Sequence, residues 1–307
     1  MTLSPKIIPY FLSFLRLRLI ALRSSLLSLR WYFITLRSWL FFLRSWLLSL
    51  QSWLLDLLYP KSCISCQKDG EILCASCFRK IQKMNVQECP VCRRRSRGGL
   101  VCHPFCKKFT SLDALIVSSL YQKNGILSKA LHLFKYRFSE ELGPILSSLL
   151  IDAFRANFSF SSTQFHWIIV PIPLHSHRLR WRGFNQSAIL AKHVSSSLLL
   201  PFFPLLKRIR DGPSHALLSR KERMIAFDSV FEIDQSVLHN ADASTLSMPS
   251  APQCKHYSVL SKYVILVDDV ATTLSTLNAA SHALKSAGVE KVCGLVLGRG
   301  SFHSKKP

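Results

Sequence analysis

Two acidic residues and a run of hydroxyl side chains lie between an apolar segment and an amphipathic segment near the end of the chain. Asp268 and Asp269 follow the β-branched run 263–267, and the turn after them contains three threonines and a serine. Backbone N–H groups at a helix N-terminus bind phosphate, and nearby hydroxyls add donors. Adjacent carboxylates accept hydrogen bonds from ribose hydroxyls or share a Mg²⁺ ion. The pattern indicates a sugar-phosphate site, with an N-capped helix after a polar turn as the alternative. The residues of the turn are Val270, Ala271, Thr272, Thr273, Leu274, Ser275 and Thr276.

Eight of the ten cysteines lie within 44 residues, nearly all as Cys-x-x-Cys pairs. Two such pairs complete a tetrahedral zinc site without an open position, and the metal supplies folding energy that a short segment lacks. We predict two structural Zn²⁺ sites of four cysteines each, paired either in chain order or crosswise. A redox-active Cys-x-x-Cys is the alternative, and His103 could replace a neighbouring cysteine. The predicted ligands are Cys63, Cys66, Cys74, Cys77, Cys89, Cys92, Cys102 and Cys106.

Positive charge is concentrated in the first part of the chain and in one central stretch. Of a net charge of +23, residues 1–58, 59–110 and 175–223 carry +6, +8 and +8. Such an excess favours nucleic acid, anionic lipid or phosphorylated substrates. Around residue 181 guanidinium groups alternate with aromatic rings, a combination that suits single-stranded nucleic acid. A solvated face or part of the phosphate site is the alternative. The predicted nucleic-acid contacts are Arg180, Trp181, Arg182, Arg93, Arg94 and Arg95.

The elements that must position these groups alternate between strand and helix. Apolar runs at 167–170, 263–267 and 292–297 predict buried strands, and the spacing at 188–200 and 277–287 predicts helices. A strand, loop, helix and strand in succession imply parallel pairing, so we expect an α/β fold. A further stretch is rich in serine, alanine and proline and predicts a surface insertion or mobile loop, at residues 234–262.

Residues 13–54 repeat with a period of seven, and arginine occupies the same heptad position from residue 16 to residue 44. On a helix these arginines form a stripe that drifts by about 20° per heptad. Such regular charges disfavour a membrane span. One alternative is an amphipathic helix on an anionic membrane surface. The sequence favours the other, a tandem duplication or an upstream region translated from a misplaced start. No cleavable secretory signal is evident, so we expect a reducing cytoplasm.

Three motifs resemble those of known families. The segment 268–276 resembles the phosphoribosyl-pyrophosphate signature of type I phosphoribosyltransferases, and segments 170–174 (VPIPL) and 182–186 (RGFNQ) resemble those of the ComF family of DNA-uptake competence proteins. The likeness covers about residues 54–300. It implies a parallel sheet with helices on both faces. The implied organisation is a double zinc ribbon (54–110) and a phosphoribosyltransferase-like domain (111–307) with the insertion at 234–262, and the heptad-repeat extension (1–53) lies outside the resemblance.

The resemblance implies a competence factor that acts on internalised single-stranded DNA during transformation, with DNA-uptake or recombination proteins as partners. The implied location is the cytoplasm, with the inner membrane face as a peripheral site. The alternative is an active phosphoribosyltransferase of unknown nitrogen acceptor, which would use phosphoribosyl pyrophosphate with Mg²⁺. Leu274 stands where the family has glycine, a residue that permits positive φ, so the resemblance leaves turnover open. Its implied catalytic residues are Asp268 and Asp269 at the ribose, and Lys135 and Arg182 at the pyrophosphate.

Overall fold

The computed structural model shows a mixed α/β protein in which a four-stranded parallel sheet is joined to a cysteine-rich module. The chain divides into two compact units, residues 1–61 and residues 62–307. The structure describes residues 37, 39, 41, 43–46, 61–136, 140–158, 167–210, 230–237, 263–272 and 274–300.

In the first unit, the described positions between residues 37 and 46 are helical. Arg37 and Arg44 of the heptad repeat are exposed there, and so are Trp39 and Trp46. The rest of the repeat, with its three earlier arginines, lies outside the described residues. Within the described ranges, no helix is both long enough and apolar enough to cross a membrane.

The second unit contains the cysteine module and the sheet. Its described elements are, in chain order, α1 (Ala75–Arg79), a 3₁₀ turn (Arg97–Gly99), α2 (Pro104–Lys107), β1 (Ala114–Leu120), α3 (Ile126–Tyr136), α4 (Leu142–Asn157), β2 (Trp167–Pro171), α5 (Ser176–Arg182), α6 (Gln186–Leu198), β3 (Leu206–Arg208), β4 (Phe231–Ile233), β5 (Tyr263–Ala271), α7 (Ser275–Ser286) and β6 (Lys291–Arg299).

The main sheet has the strand order β1-β6-β5-β2, and every neighbouring pair is parallel. Its strands are continuous apolar runs because both faces are covered. On β5, Ile265 and Val267 belong to a first core cluster with α3, α4 and α6. Val264 and Leu266 face the other way, into a second core cluster with α7 and the antiparallel hairpin β3–β4. The sheet therefore has helices on both faces, as the sequence predicts.

The cysteine module is bound to β1, an edge strand of the sheet. The Gln87 side chain is buried, and it donates to the carbonyl of Val117 (3.0 Å) and accepts from the N–H of the same residue (2.9 Å). The backbone N–H of Met84 donates to the Ser118 carbonyl at 2.8 Å. Gly99 lies so close to β1 that an added Cβ would be 2.0 Å from a backbone oxygen, so only glycine fits this approach. The module and the sheet thus share backbone hydrogen bonds.

The predicted elements are present, but their ends differ. The apolar run predicts that strand β5 ends at residue 267, where two carboxylates follow, yet the strand continues to Ala271 through backbone pairing with β6. Helix α6 begins at Gln186, two residues before its apolar spacing, because the side chain of Asn185 caps it. Helix α7 spans Ser275–Ser286, and Gly288 follows with a φ of 101°. Of the predicted insertion, residues 238–262 lie outside the described residues.

Candidate functional site

The eight clustered cysteines form two groups that follow chain order. In each group, four sulfur atoms lie within 4.8 Å of one another. Four thiolates at this spacing suit a closed tetrahedral zinc site with a structural role. The chain-order pairing, one of the two arrangements open from the sequence, is the one the structure contains. We name the groups the first cysteine cluster (Cys63, Cys66, Cys74 and Cys77) and the second cysteine cluster (Cys89, Cys92, Cys102 and Cys106).

The first Cys-x-x-Cys pair of each cluster forms the same backbone turn. In the first cluster the N–H of Gln67 donates to the carbonyl of Cys63 at 2.8 Å, and in the second cluster the N–H of Arg93 donates to the carbonyl of Cys89 at 3.1 Å. Gln67 and Arg93 both have a φ of 62°. This left-handed conformation is least costly for glycine. The two knuckles are therefore equivalent, and each carries a side chain at a strained position.

Thiol ionisation in the clusters favours cation binding. Burial acts to raise the pKa of the Cys63 and Cys89 thiols, but surrounding backbone N–H groups outweigh burial and lower the pKa of each to about 6. By contrast, the neighbouring thiol of Cys92 and burial raise the pKa of Cys102 to about 12. At least one thiolate thus forms readily in each cluster, whereas the thiol of Cys102 becomes ionised only if a cation offsets the repulsion from the neighbouring sulfur atoms. A divalent zinc ion supplies that charge.

The two predicted acids lie at the carboxyl end of β5 and have different partners. Asp269 is 9% exposed, and its Oδ2 lies 2.5 Å from the Nζ of Lys135, which α3 supplies. Asp268 accepts a hydrogen bond from the hydroxyl of Ser187, at the start of α6, at 2.8 Å. Parallel strands place such groups at the end of the sheet where the strands' carboxyl termini lie, and ligands of α/β proteins bind there. The structure therefore brings Lys135 and both acids together.

Burial and charge determine the protonation of this group. Burial, together with the neighbouring carboxylate of Asp269, raises the pKa of Asp268 to about 7. For Lys135, burial acts to lower the pKa, but the charge of Asp269 outweighs burial and the pKa is raised. Lys135 is thus a firmly held cation, and Asp268 gains or loses a proton near neutral pH. A carboxyl group with a strongly raised pKa at the carboxyl end of a parallel sheet is typical of a functional site.

Arg182 lies within electrostatic range of Lys135 and has unused hydrogen-bonding capacity. Its Nη1 donates to the side-chain oxygen of Gln186 at 3.2 Å, and its guanidinium carbon is 5.3 Å from the centre of the Tyr136 ring. Of the three buried donors without a hydrogen-bond partner among the described residues, two are at this site, namely Nε of Arg182 and Nε2 of Gln186. Buried donors without partners are rare and costly in proteins. Oxygen atoms of an anionic ligand would satisfy both.

The predicted phosphate turn begins within β5 and ends in α7. Val270 and Ala271 belong to the strand, Thr272 is exposed, and Thr273 lies outside the described residues. Ser275 and Thr276 begin the helix. Leu274 caps the helix with φ 63° and ψ −7°, and its carbonyl accepts from the N–H of Asn278 at 2.8 Å. Leucine thus occupies the conformation for which glycine is suited, while its side chain contacts the second core cluster.

Replacing the two left-handed leucines with glycine should separate backbone strain from packing. A left-handed L-residue costs roughly 1–2 kcal/mol, part of which glycine loses again through its greater freedom in the unfolded chain. Leu199 has φ 54° and is 74% exposed, so Leu199→Gly should raise the free energy of unfolding by about 0.5–1 kcal/mol. Leu274→Gly should raise it less, because core contacts are also lost. Urea denaturation measures both, and equal gains would show that the Leu274 side chain contributes no packing.

The predicted nucleic-acid residues fall into two groups on different modules. Arg180 and Trp181 are exposed on α5, and Trp181 has an exposed fraction of 60%. On the cysteine module Arg94 and Arg95 are exposed. Arg93, in contrast, donates from Nη2 to the carbonyl of Gly300 at 3.1 Å. We therefore place Arg93 within the fold and not among the freely exposed cations.

Some site residues have no assigned role in the sequence analysis. Ser187 directly follows the Arg-Gly-Phe-Asn-Gln segment, and Tyr136 directly follows Lys135. Their positions next to predicted site residues could therefore have identified both of them from the sequence. The Tyr136 ring lies 5.9 Å from that of Trp181 in an edge-to-face arrangement. Arg299 ends an apolar strand, and nothing in the sequence marks it. Only the structure shows its contact with the cysteine module.

Comparisons with known proteins agree with these features. Residues 54–108 match the double zinc ribbon domain family. The chain is 26% identical over 230 residues to competence protein ComFC of Bacillus subtilis, which covers 72% of this chain and 81% of that protein. It is 28% identical over 236 residues to competence protein F of Haemophilus influenzae, covering 75% of this chain and 93% of that protein. ComFC of Streptococcus pneumoniae is 22% identical over 228 residues, 74% of this chain and 87% of that protein. The chain thus combines a segment that matches the double zinc ribbon with a parallel sheet, and over about three quarters of its length it is similar to the competence proteins named ComFC and F.

Proposed function

We propose that this protein is a competence factor that binds internalised single-stranded DNA on the exposed surface of α3 and α5, beside a ribose-phosphate site at the end of β5. The names of its relatives support a role in competence. The chemistry of the surface supports the type of ligand. The proposed location is the cytoplasm, where DNA-uptake or recombination proteins would be its partners. An anionic membrane surface is a further proposed partner, through residues 13–54.

The observation that carries this proposal is a cluster of exposed rings with a cation between them. Trp181 and Tyr136 are 60% and 43% exposed, and their rings meet edge to face. Arg182 lies over the Tyr136 ring, and His132 lies 4.8 Å from the same ring. Exposed aromatic rings stack on bases of any sequence, and each stack is worth about 1–3 kcal/mol. Cations between the rings bind the phosphates that connect the bases.

This aromatic surface is continuous with the acidic group at the end of β5. Tyr136 directly follows Lys135 in α3, and Lys135 is paired with Asp269. Arg182 connects the same surface to Gln186, whose neighbour Ser187 donates to Asp268. A strand whose bases stack on Trp181 and Tyr136 would therefore pass next to the proposed ribose-phosphate site. We propose that the two sites are used together.

A second candidate function is phosphoribosyl transfer to a nitrogen nucleophile. The buried donors of Arg182 and Gln186 without partners favour it, because they suit the oxygens of a pyrophosphate group. The acid pair suits ribose hydroxyls better than a resident Mg²⁺ ion. Asp269 is already neutralised by Lys135, and the pKa of Asp268 is raised to about 7. In this proposal Mg²⁺ would arrive with the pyrophosphate.

Trp181→Ala tests the proposed DNA surface. We expect this change to weaken binding of a fluorescent oligo-dT strand by about 5- to 150-fold, which corresponds to the loss of one base stack. Arg180→Gln should weaken binding less and make the dependence on salt shallower by about one charge. Phe105→Ala is the matched control, because Phe105 is an exposed ring (66%) on the cysteine module. Native protein that does not bind the strand, or equal effects at residues 181 and 105, would rule the proposal out.

Titration of phosphoribosyl pyrophosphate with Mg²⁺ into the full chain tests the second candidate. Binding that is lost in Asp269→Asn indicates a working ribose-phosphate site. Release of pyrophosphate in the presence of nitrogen nucleophiles would establish turnover. Binding without release favours a competence factor that retains the site without transferase activity. Unchanged binding in Asp269→Asn would contradict the assignment of the acid pair to the ribose.

A further inference from the structure

A buried arginine connects the second cysteine cluster to the end of β6. Arg299 is 7% exposed, and its Nη2 donates to the backbone carbonyl of Pro90, which lies between Cys89 and Cys92. Its Nε has no hydrogen-bond partner among the described residues. A buried charge is stable only when an opposite charge or sufficient hydrogen bonds accompany it. One contact with a carbonyl oxygen does not meet that requirement, and a nearby carboxylate, that of Glu88, is shared with Arg93 at 3.7 Å.

A second arginine makes a connection in the opposite direction. Arg93, which follows the Cys89–Cys92 knuckle, donates from Nη2 to the carbonyl of Gly300 at 3.1 Å. The backbone of Arg93 is in the left-handed conformation, which costs less conformational energy for glycine than for arginine. The equivalent position in the first knuckle is Gln67, which has the same φ. Backbone strain that is retained at a residue indicates that its side chain has a function. For Arg93, the contact with Gly300 is a candidate for that function.

Gly300 in turn contacts the phosphate turn. Its N–H donates to the carbonyl of Ala271 at 3.1 Å, and the position of a Cβ on Gly300 is 3.5 Å from the Cα of Thr272. Ala271 and Arg299 are also paired in the register of β5 and β6. Two contacts therefore connect the second cluster to the turn that follows the acids, namely Arg93 to Gly300 and Gly300 to Ala271.

The first cysteine cluster is placed differently. Its buried cysteines Cys63, Cys74 and Cys77 belong to the first core cluster, with residues of α3 and α4. The buried cysteines of the second cluster, Cys89 and Cys106, form a small separate group with Val101. Only the second cluster has the arginine contacts described above among the residues that the structure describes. The two metal sites should therefore affect different parts of the protein.

We infer that Arg299 and Arg93 are positioning residues through which the zinc ion of the second cysteine cluster holds the phosphate turn in place. Four thiolates around one Zn²⁺ carry a net charge of −2. Arg299 supplies a buried positive charge next to the Cys89 knuckle. Arg93 fixes Gly300, and Gly300 fixes Ala271 and Thr272. Loss of this zinc ion would release both arginine contacts and loosen the turn. This inference does not depend on which ligand the turn binds.

Hydrogen exchange in peptides that cover residues 268–276 tests the link between metal and turn. Cys92→Ser and Cys66→Ser form a matched pair, because each removes the exposed cysteine of an equivalent knuckle. Both variants should lose one zinc ion by native mass spectrometry. Exchange in the turn should be at least about tenfold faster in Cys92→Ser and unchanged in Cys66→Ser. Equal exchange in the two variants would overturn the inference.

Arginine variants test the individual contacts. Arg93→Gly should keep two zinc ions, relieve strain, and still speed exchange in the turn, whereas Gln67→Gly should leave exchange unchanged. Arg299→Met should make the cysteines of the second cluster react faster with an alkylating reagent, as mapped by peptide, while those of the first cluster stay protected. Arg299→Lys, which keeps the charge, should restore part of that protection. Native exchange in Arg93→Gly would disprove the link through Gly300, and that variant decides the matter even if Arg299→Met does not fold. Native protection of the second cluster in Arg299→Met would disprove the role of Arg299 as its counter-charge.

Discussion

Cys63→Ser is expected to remove one zinc ion and to lower the free energy of unfolding of the second unit by about 5 kcal/mol or more. Structural zinc binding is worth roughly 10–16 kcal/mol in small domains, and part of it is lost with one ligand. Cys63 is 1% exposed and belongs to the first core cluster, so the loss reaches the packing beneath the sheet. Metal analysis and urea denaturation measure the two effects.

Cys293→Ser provides the control for this change. Cys293 is also buried, on β6, but it lies outside both cysteine clusters. Its replacement should cost about 1–3 kcal/mol through burial of a hydroxyl group, with both zinc ions retained. A protein free of zinc but of unchanged stability would contradict the metal assignment. Disulfides mapped among the eight clustered cysteines would contradict it equally.

Asp268→Asn should stabilise the protein at pH 8 by roughly 4 kcal/mol and flatten the dependence of its stability on pH. In the unfolded chain this carboxyl has the ordinary aspartate pKa of 3.8, and burial with Asp269 nearby raises its pKa to about 7 in the fold. Between these values the folded state binds more protons than the unfolded state. The contribution of Asp268 to native stability should therefore be greatest below pH 4, fall as pH rises to 7, and stay level above that. Asparagine removes this contribution and keeps an oxygen to accept from Ser187.

Asp234→Asn should have the opposite effect on the pH profile. The hydroxyl of Ser236 is the main cause of a lowered pKa at Asp234. A lowered pKa in the folded state adds stability above the pKa of the unfolded chain, and that stability is lost as pH falls. Thermal unfolding between pH 3 and pH 9 measures both variants. A native profile in Asp268→Asn would show that Asp268 is ionised like an ordinary surface carboxyl.

Local patterns in the sequence predict the buried strands, the cysteine pairs and the acid pair. The buried strands are readable because parallel strands covered on both faces are apolar throughout, as in residues 263–267. The cysteine pairs and the acid pair are readable because their chemistry requires neighbours in the chain. Strand β5 extends past its apolar run because β6 supplies hydrogen-bond partners as far as Ala271, and a single segment does not reveal its partner.

Contacts between distant segments were not predictable in this way. The pairing of cysteines into clusters depends on how the module folds over β1. The partner of Asp269 is Lys135, 134 positions earlier, and no periodicity connects them. The rings of Tyr136 and Trp181 meet although 45 positions separate them in the chain. For Leu274 the resemblance indicates a position suited to glycine, but the second core cluster that receives its side chain is visible only in the fold.

The attachment of the cysteine module to β1 also bears on solubility. An exposed edge strand is a template for pairing with other chains, and proteins commonly cover such edges. Here the backbone of residues 82–84 bonds to β1 through Ser118 and Leu120. At the opposite edge, Pro201 and Phe203 bond to Ile169 of β2. Newly made chains that lack zinc would leave the β1 edge uncovered. Metal limitation during synthesis should therefore lead to self-association through edge-to-edge strand pairing.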